Sequence, residues 1–163
     1  MEVVRRFWQV PTASSFLLGP RGTGKSTWLR HELPDALHLD LLDPAVYREL
    51  SARPERLRDM VDGSPGRDTV VVDEVQRVPE LLNVVHLLME QPDRRRFLLT
   101  GSSARKLRRG GVDLLAGRAL LNTLHPFMAA ELPGFDLQAA LEGGLLPLVV
   151  ASTDREQVLR AYA

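Results

Sequence analysis

Gly19-Pro20-Arg21-Gly22-Thr23-Gly24-Lys25-Ser26-Thr27 reads G-x-x-x-x-G-K-S. The apolar run Ser15-Phe16-Leu17-Leu18 precedes it, and the helix-compatible run Trp28-Leu29-Arg30-His31-Glu32-Leu33 follows. That strand–loop–helix setting gives the pattern a physical meaning as a phosphate-binding loop. Glycines at 19, 22 and 24 allow a tight turn whose backbone N–H groups face phosphate oxygens. The helix behind it aims the positive end of its dipole at the same point. Lys25 is expected to reach the β- and γ-phosphates, and the Ser26 hydroxyl to ligate Mg²⁺. The expected ligand is a nucleoside triphosphate, bound by the whole loop from Gly19 through Pro20, Arg21, Gly22, Thr23, Gly24, Lys25 and Ser26 to Thr27.

Outward from the loop, apolar strands alternate with helical patterns. Strand 1 is expected at about 14–18 and the loop helix at about 24–33, stopped by Pro34. A second strand is expected at 36–41. Asp43-Pro44 is a helix-start signal, and two short helices divided by Pro54 are expected to fill 44–61. The turn Asp62-Gly63-Ser64-Pro65-Gly66 leads into Thr69-Val70-Val71-Val72-Asp73-Glu74. Such a β-branched run is expected of a strand covered on both faces, as in a parallel sheet. A helix is expected from Pro79 to about residue 91, with Leu81, Leu82, Val85, Leu88 and Met89 at helical spacing. Arg96-Phe97-Leu98-Leu99-Thr100 and 119–123 complete five strands. Helices are expected over 126–132, 136–142 and 154–163. This alternation predicts an α/β domain with a mostly parallel sheet, right-handed crossovers and a ligand at the carboxyl ends of the strands.

The 163 residues suffice for one domain with a real core. Hydrophobic residues make up 44% and charged residues 26%, with zero formal net charge, so no global attraction to nucleic acid or anionic membrane is indicated. The absence of cysteine excludes disulfides and thiolate metal sites. No apolar run reaches membrane-spanning length, and the N-terminus carries no signal-peptide pattern, so a cytoplasmic setting is expected. The four histidines show no metal spacing. Trp8 and Trp28 are expected to pack rather than to bind a base, with an adenine site near residues 5–13 if the lead-in segment, residues 1–13, crosses the loop.

Asp73-Glu74 lies where a β-branched strand runs out. Asp73 is expected to hold Mg²⁺ beside Ser26, and Glu74 to polarise water as a general base. That acidic pair favours hydrolysis over transfer to a second substrate. Thr100, favoured over Ser102, ends the next strand, where a hydroxyl can bond the γ-phosphate or the attacking water. Arg118 is a candidate arginine finger, with Arg105, Arg108 and Arg109 as rivals or as a solvated basic face. Gln76 is read either as orienting water or as part of a helix start. The basic segment has no interleaved aromatics or recognisable DNA-reading module, so nucleic acid as a partner has little support.

Four stretches together resemble a known family: Leu18 to Thr27; Val72-Asp73-Glu74-Val75-Gln76-Arg77-Val78-Pro79-Glu80-Leu81; Leu98-Leu99-Thr100-Gly101-Ser102-Ser103-Ala104-Arg105-Lys106-Leu107; and Leu115-Ala116-Gly117-Arg118-Ala119, followed by His125-Pro126-Phe127 and Glu131-Leu132. In this order they are similar to the prokaryotic AAA+ ATPases of the AAA_14 group, whose chains usually continue into a DUF4143 domain. The resemblance implies a three-layer P-loop NTPase with a five-stranded sheet in the order 5-1-4-3-2. It also implies ATP and Mg²⁺ as ligands, and a phosphate loop, acidic pair, sensor and arginine finger at the positions named above. A lid helical bundle with a second sensor arginine is not located in the sequence. The expected organisation is an ATPase domain over 1–150 and the start of a truncated C-terminal region over 151–163. Self-association or a partner protein would act through that further region. The alternatives are a small-molecule P-loop kinase and a non-catalytic nucleotide switch or DNA-associated scaffold.

Overall fold

The computed structural model describes residues 4–92, 95–102, 107 and 115–162. Arg105, Lys106, Arg108 and Arg109 fall outside the described residues. Five strands form one sheet: β1 (Ser15–Leu18), β2 (Leu37–Asp40), β3 (Thr69–Asp73), β4 (Arg96–Gly101) and β5 (Leu120–Thr123). Every pairing is parallel, and the order is β2-β3-β4-β1-β5. Read from the other edge this is 5-1-4-3-2, the expected order.

The apolar runs of the central strands follow from burial on both faces. Phe16, Leu18, Val70, Val72, Phe97 and Leu99 point into one core cluster. There they meet residues of α2 (Pro44–Ala52), α3 (Arg56–Asp62) and α4 (Leu81–Met89). The alternate residues Leu17, Val71 and Leu98 enter a second cluster on the other face, with Trp28 and Leu29 of α1 (Lys25–Glu32). Trp8 and Val10 of the lead-in pack against that cluster. The Trp8 and Trp28 ring centroids are 4.8 Å apart, so the two tryptophans pack against each other. The result is three layers, with the carboxyl ends of β1, β3 and β4 brought to one edge.

Several local signals act as read. Asp43 caps α2, its side chain accepting from the Ala45 N–H at 2.7 Å with Pro44 at the first helical position. The helix expected from Pro79 begins later, at Leu81, because a short 3₁₀ turn, Val75–Arg77, first carries the chain away from β3. The expected helix over 126–132 is a correction. Only Ala129–Glu131 turn, as one 3₁₀ turn. The Glu131 side chain accepts from the Met128 N–H at 2.9 Å and, far away in sequence, from the Phe7 N–H at 2.8 Å. Tertiary hydrogen bonds therefore outcompete helix propagation here.

Beyond β5 lie α5 (Leu137–Gly143), α6 (Pro147–Val150) and α7 (Arg155–Tyr162). Asp136 caps α5, accepting from the Ala139 N–H, and Gly144 ends it at φ 71°. The last two of these helices, α6 and α7, sit over the phosphate loop. The Tyr162 hydroxyl donates to the Arg21 carbonyl at 2.8 Å. A Cβ at Gly24 would lie 3.9 Å from the Pro147 ring, and one at Gly22 would lie 3.8 Å from Leu148. A helical cover that the sequence did not reveal is thus in place.

Candidate functional site

The loop leaves β1 at Leu18 and enters α1 at Lys25. Gly19 is required by space. Any Cβ there would collide with the Leu124 carbonyl oxygen, and its own N–H donates to the Gly101 carbonyl at 3.2 Å. Gly22 and Gly24 adopt φ of 81° and 83°, the left-handed region that disfavours a side chain. Pro20, Arg21 and Thr27 are exposed and Ser26 is half-buried. Thr23 is fully buried, its hydroxyl donating to the Pro20 carbonyl at 2.9 Å. No side chain caps α1, whose N-cap is Gly24. Its first-turn N–H groups are thus available to an anion.

Lys25 is buried, with Nζ donating to the Gly19 and Pro20 carbonyls at 2.8 and 3.0 Å. Burial pushes its pKa below the ordinary lysine value, while the charges of Glu74 and Asp73 pull it back up. The loop lysine and both acids therefore occupy one electrostatic neighbourhood. Asp73 is itself buried at the end of β3, and its Oδ1 accepts from the Thr100 hydroxyl. Thr100 also accepts from the Glu74 N–H at 3.0 Å. Its proton is thus committed to Asp73, and Thr100 acts on the site by fixing both acidic residues. The Ser102 hydroxyl is buried with no partner among the described residues. Glu74 takes a left-handed conformation, φ 59° and ψ 43°, unusual for a residue with a side chain. Such outliers cluster where a group must be aimed.

Ser26 and Asp73 line one small cavity of about 10 Å³ together with Asp40. Among the described residues no group of three or more His, Asp or Glu side chains forms a metal cage. A hydroxyl and a single carboxylate beside a phosphate loop suit Mg²⁺, which keeps waters and takes phosphate oxygens as further ligands. Asp40, unremarked in the sequence, is the register partner of Asp73. It also accepts from Arg30 at 2.9 Å. Its only sequence signal is an acid at the end of a strand.

Arg118 is not brought to this group. It precedes β5, whose first residue pairs with Ser15 at the start of β1, while the loop leaves the other end of β1. Its guanidinium donates to Glu90 at 2.9 Å on an exposed surface.

Sequence reading also missed Arg6. Its side chain and that of Glu131 form an ion pair, 3.2 Å apart and 5% and 3% exposed. Arg6 further donates to the carbonyls of Thr23 at 3.3 Å and His125 at 2.6 Å, and stacks over Phe127 at 4.7 Å. Beside it lies an apolar cavity of about 300 Å³ lined by Thr23, Gly24, Thr27, Trp28, Phe127, Pro147 and Val150. A larger cleft of about 860 Å³ runs between the lead-in and α1, past Trp8 and His31.

The model of a family described as AAA domain, AAA_14, matches residues 12–133. The chain belongs to the AAA_14 family. No curated protein matches this AAA domain. Among solved structures it is similar to the Walker-type ATPase PABY2304 of Pyrococcus abyssi, at 16% identity with a TM-score of 0.57. The similarity covers 91% of the chain and 65% of that protein, so the AAA domain spans under two thirds of its length. At this identity the likeness speaks to the fold, which is that of a P-loop ATPase. No helix among the described residues is long and apolar enough to cross a membrane.

Proposed function

We propose that the chain is an Mg²⁺-dependent ATPase module that cleaves the β–γ anhydride of ATP with water as acceptor, in the cytoplasm. The observation that carries this reading is the convergence of Lys25, Asp73 and Glu74, with Thr100 bridging the two acids. The first-turn N–H groups of α1 and Lys25 bind and orient the phosphates. Ser26 and Asp73 would hold Mg²⁺, which would supply positive charge beside the phosphoryl oxygens. Glu74 takes the proton of the attacking water. The apolar cavity beside Thr23 and Phe127 receives the base.

ATP turnover by wild type and Glu74→Gln tests this reading. A fall of about a hundredfold is expected, and equal rates would remove Glu74 from the mechanism. Lys25→Ala is expected to abolish tight nucleotide binding. Phosphate release without an added acceptor separates hydrolysis from kinase activity.

Arg118, remote from its own site and exposed, suits a role in the site of a second copy. Mixing Arg118→Ala with Lys25→Ala protein is then expected to restore turnover that neither has alone. Failure to complement leaves Arg118 a surface partner of Glu90.

A further inference from the structure

Gln76 stands two residues beyond the acidic pair, in the 3₁₀ turn Val75–Arg77. Its carboxamide nitrogen donates to Glu74 Oε2. The orientation of the amide follows from chemistry, since only its NH₂ end can meet a carboxylate. The other end, Oε1, is buried and meets no donor among the described residues. It rests against Gly101, where a Cβ would come within 2.6 Å of it. Gly101 is also the residue whose carbonyl accepts from Gly19, the first residue of the phosphate loop. Gln76 therefore lies between the acid and the strand end that anchors the loop.

Stability alone does not account for this placement. A buried carboxamide oxygen without a donor costs free energy. The turn does not need the side chain either. It is closed by backbone bonds, the Arg77 N–H donating to the Glu74 carbonyl at 2.9 Å and the Val78 N–H to the Val75 carbonyl at 3.1 Å. The side chain meets a requirement of Glu74 instead. A glutamate on a left-handed backbone position can rotate about three side-chain torsions, and a base is effective only within a narrow range of positions. One hydrogen bond to its charged head removes much of that freedom.

We propose that Gln76 is a positioning residue for Glu74, and that the missing side chain of Gly101 is the seat that makes room for it. This rests on the reading of Glu74 as the general base. In this role Gln76 acts only through the carboxylate it holds.

The experiment is steady-state ATP hydrolysis by the full chain carrying Gln76→Leu, which keeps the bulk and removes the donor. The expected result is a fall in kcat of about tenfold, with KM within about twofold of wild type. Gly101→Ala, which pushes on the carboxamide, is expected to lower kcat in the same way. In the Glu74→Gln background, adding Gln76→Leu is expected to cause no further loss, because the residue through which it acts is already gone. Titration with a fluorescent ATP analogue confirms that each variant folds and binds. Wild-type kcat in Gln76→Leu, an additive loss in the double variant, or a lost affinity for the analogue each overturns the positioning role. Wild-type turnover by Glu74→Gln overturns the reading of Glu74 itself, and that single variant reports it separately.

Discussion

Thr100 and Asp73 are joined by a hydrogen bond between neighbouring strands, the hydroxyl of β4 donating to the carboxylate of β3. The Thr100 hydroxyl oxygen also accepts the Glu74 N–H. Replacing Thr100 by Val keeps the shape and strands both partners. The expected loss is about 2 kcal/mol of stability, because a buried carboxylate and a backbone donor lose their partner together. Urea unfolding measures it. Thr100→Ser retains the hydroxyl and is expected to recover most of the stability and the turnover.

Glu74 occupies a backbone region that glycine adopts without strain. Glu74→Gly is therefore expected to stabilise the fold by about 1 kcal/mol while abolishing turnover. Thermal melting and phosphate release on the same preparation read both effects. A Glu74→Gly protein less stable than Glu74→Ala would show that the conformation carries no strain.

Lys25 titrates below its ordinary value of 10.5 because it is buried, despite the opposing charges of Glu74 and Asp73. The unfolded chain keeps this proton up to about 10.5, and the folded protein releases it earlier. The buried charge thus opposes folding at neutral pH, and that penalty fades as pH rises from the folded pKa toward 10.5. Phosphate binding needs the charged form. The rise in Tm caused by ATP is accordingly expected to shrink across the same alkaline window. Melts with and without ATP over a pH series check this, and Lys25→Met is expected to show little ATP-dependent shift at any pH.

Arg6 and Glu131, 125 residues apart, are both almost fully buried. Removing one partner leaves the other as an uncompensated buried charge. Arg6→Ala is expected to cost about 3–5 kcal/mol in a denaturant titration. Arg6→Lys is not expected to rescue it, since an ammonium cannot reproduce the guanidinium fork that reaches Glu131, Thr23 and His125 together.

The parallel sheet was legible because burial on both faces writes itself into a strand, as in Val70-Val71-Val72. The loop glycines and the acids at the end of β3 were legible because their chemistry is local. Arg6 was not. A basic pair near a terminus reads as solvated surface until the fold brings Glu131 beside it. Residues 126–132 have the pattern of a helix because periodicity is blind to a carboxylate whose partner lies in the lead-in. Gln76 admits two readings in the sequence, and its contacts with Glu74 and Gly101 arise only once the fold brings β4 beside the acid. The helices beyond β5 were foreseen in part, but their seat on the phosphate loop was not. It depends on single contacts such as that of Tyr162 with Arg21.

The clamp made by Arg6 bears on where this molecule can be cut. The family match runs from residue 12 to residue 133, so Arg6 and Tyr162 both lie outside it. A fragment trimmed to those limits would contain every residue of the phosphate loop and both acids. It would also leave the Glu131 carboxylate facing an empty socket, and the loop without the two contacts that hold its flanks at Thr23 and Arg21. A piece trimmed to the recognisable motif is accordingly expected to be less stable than the whole.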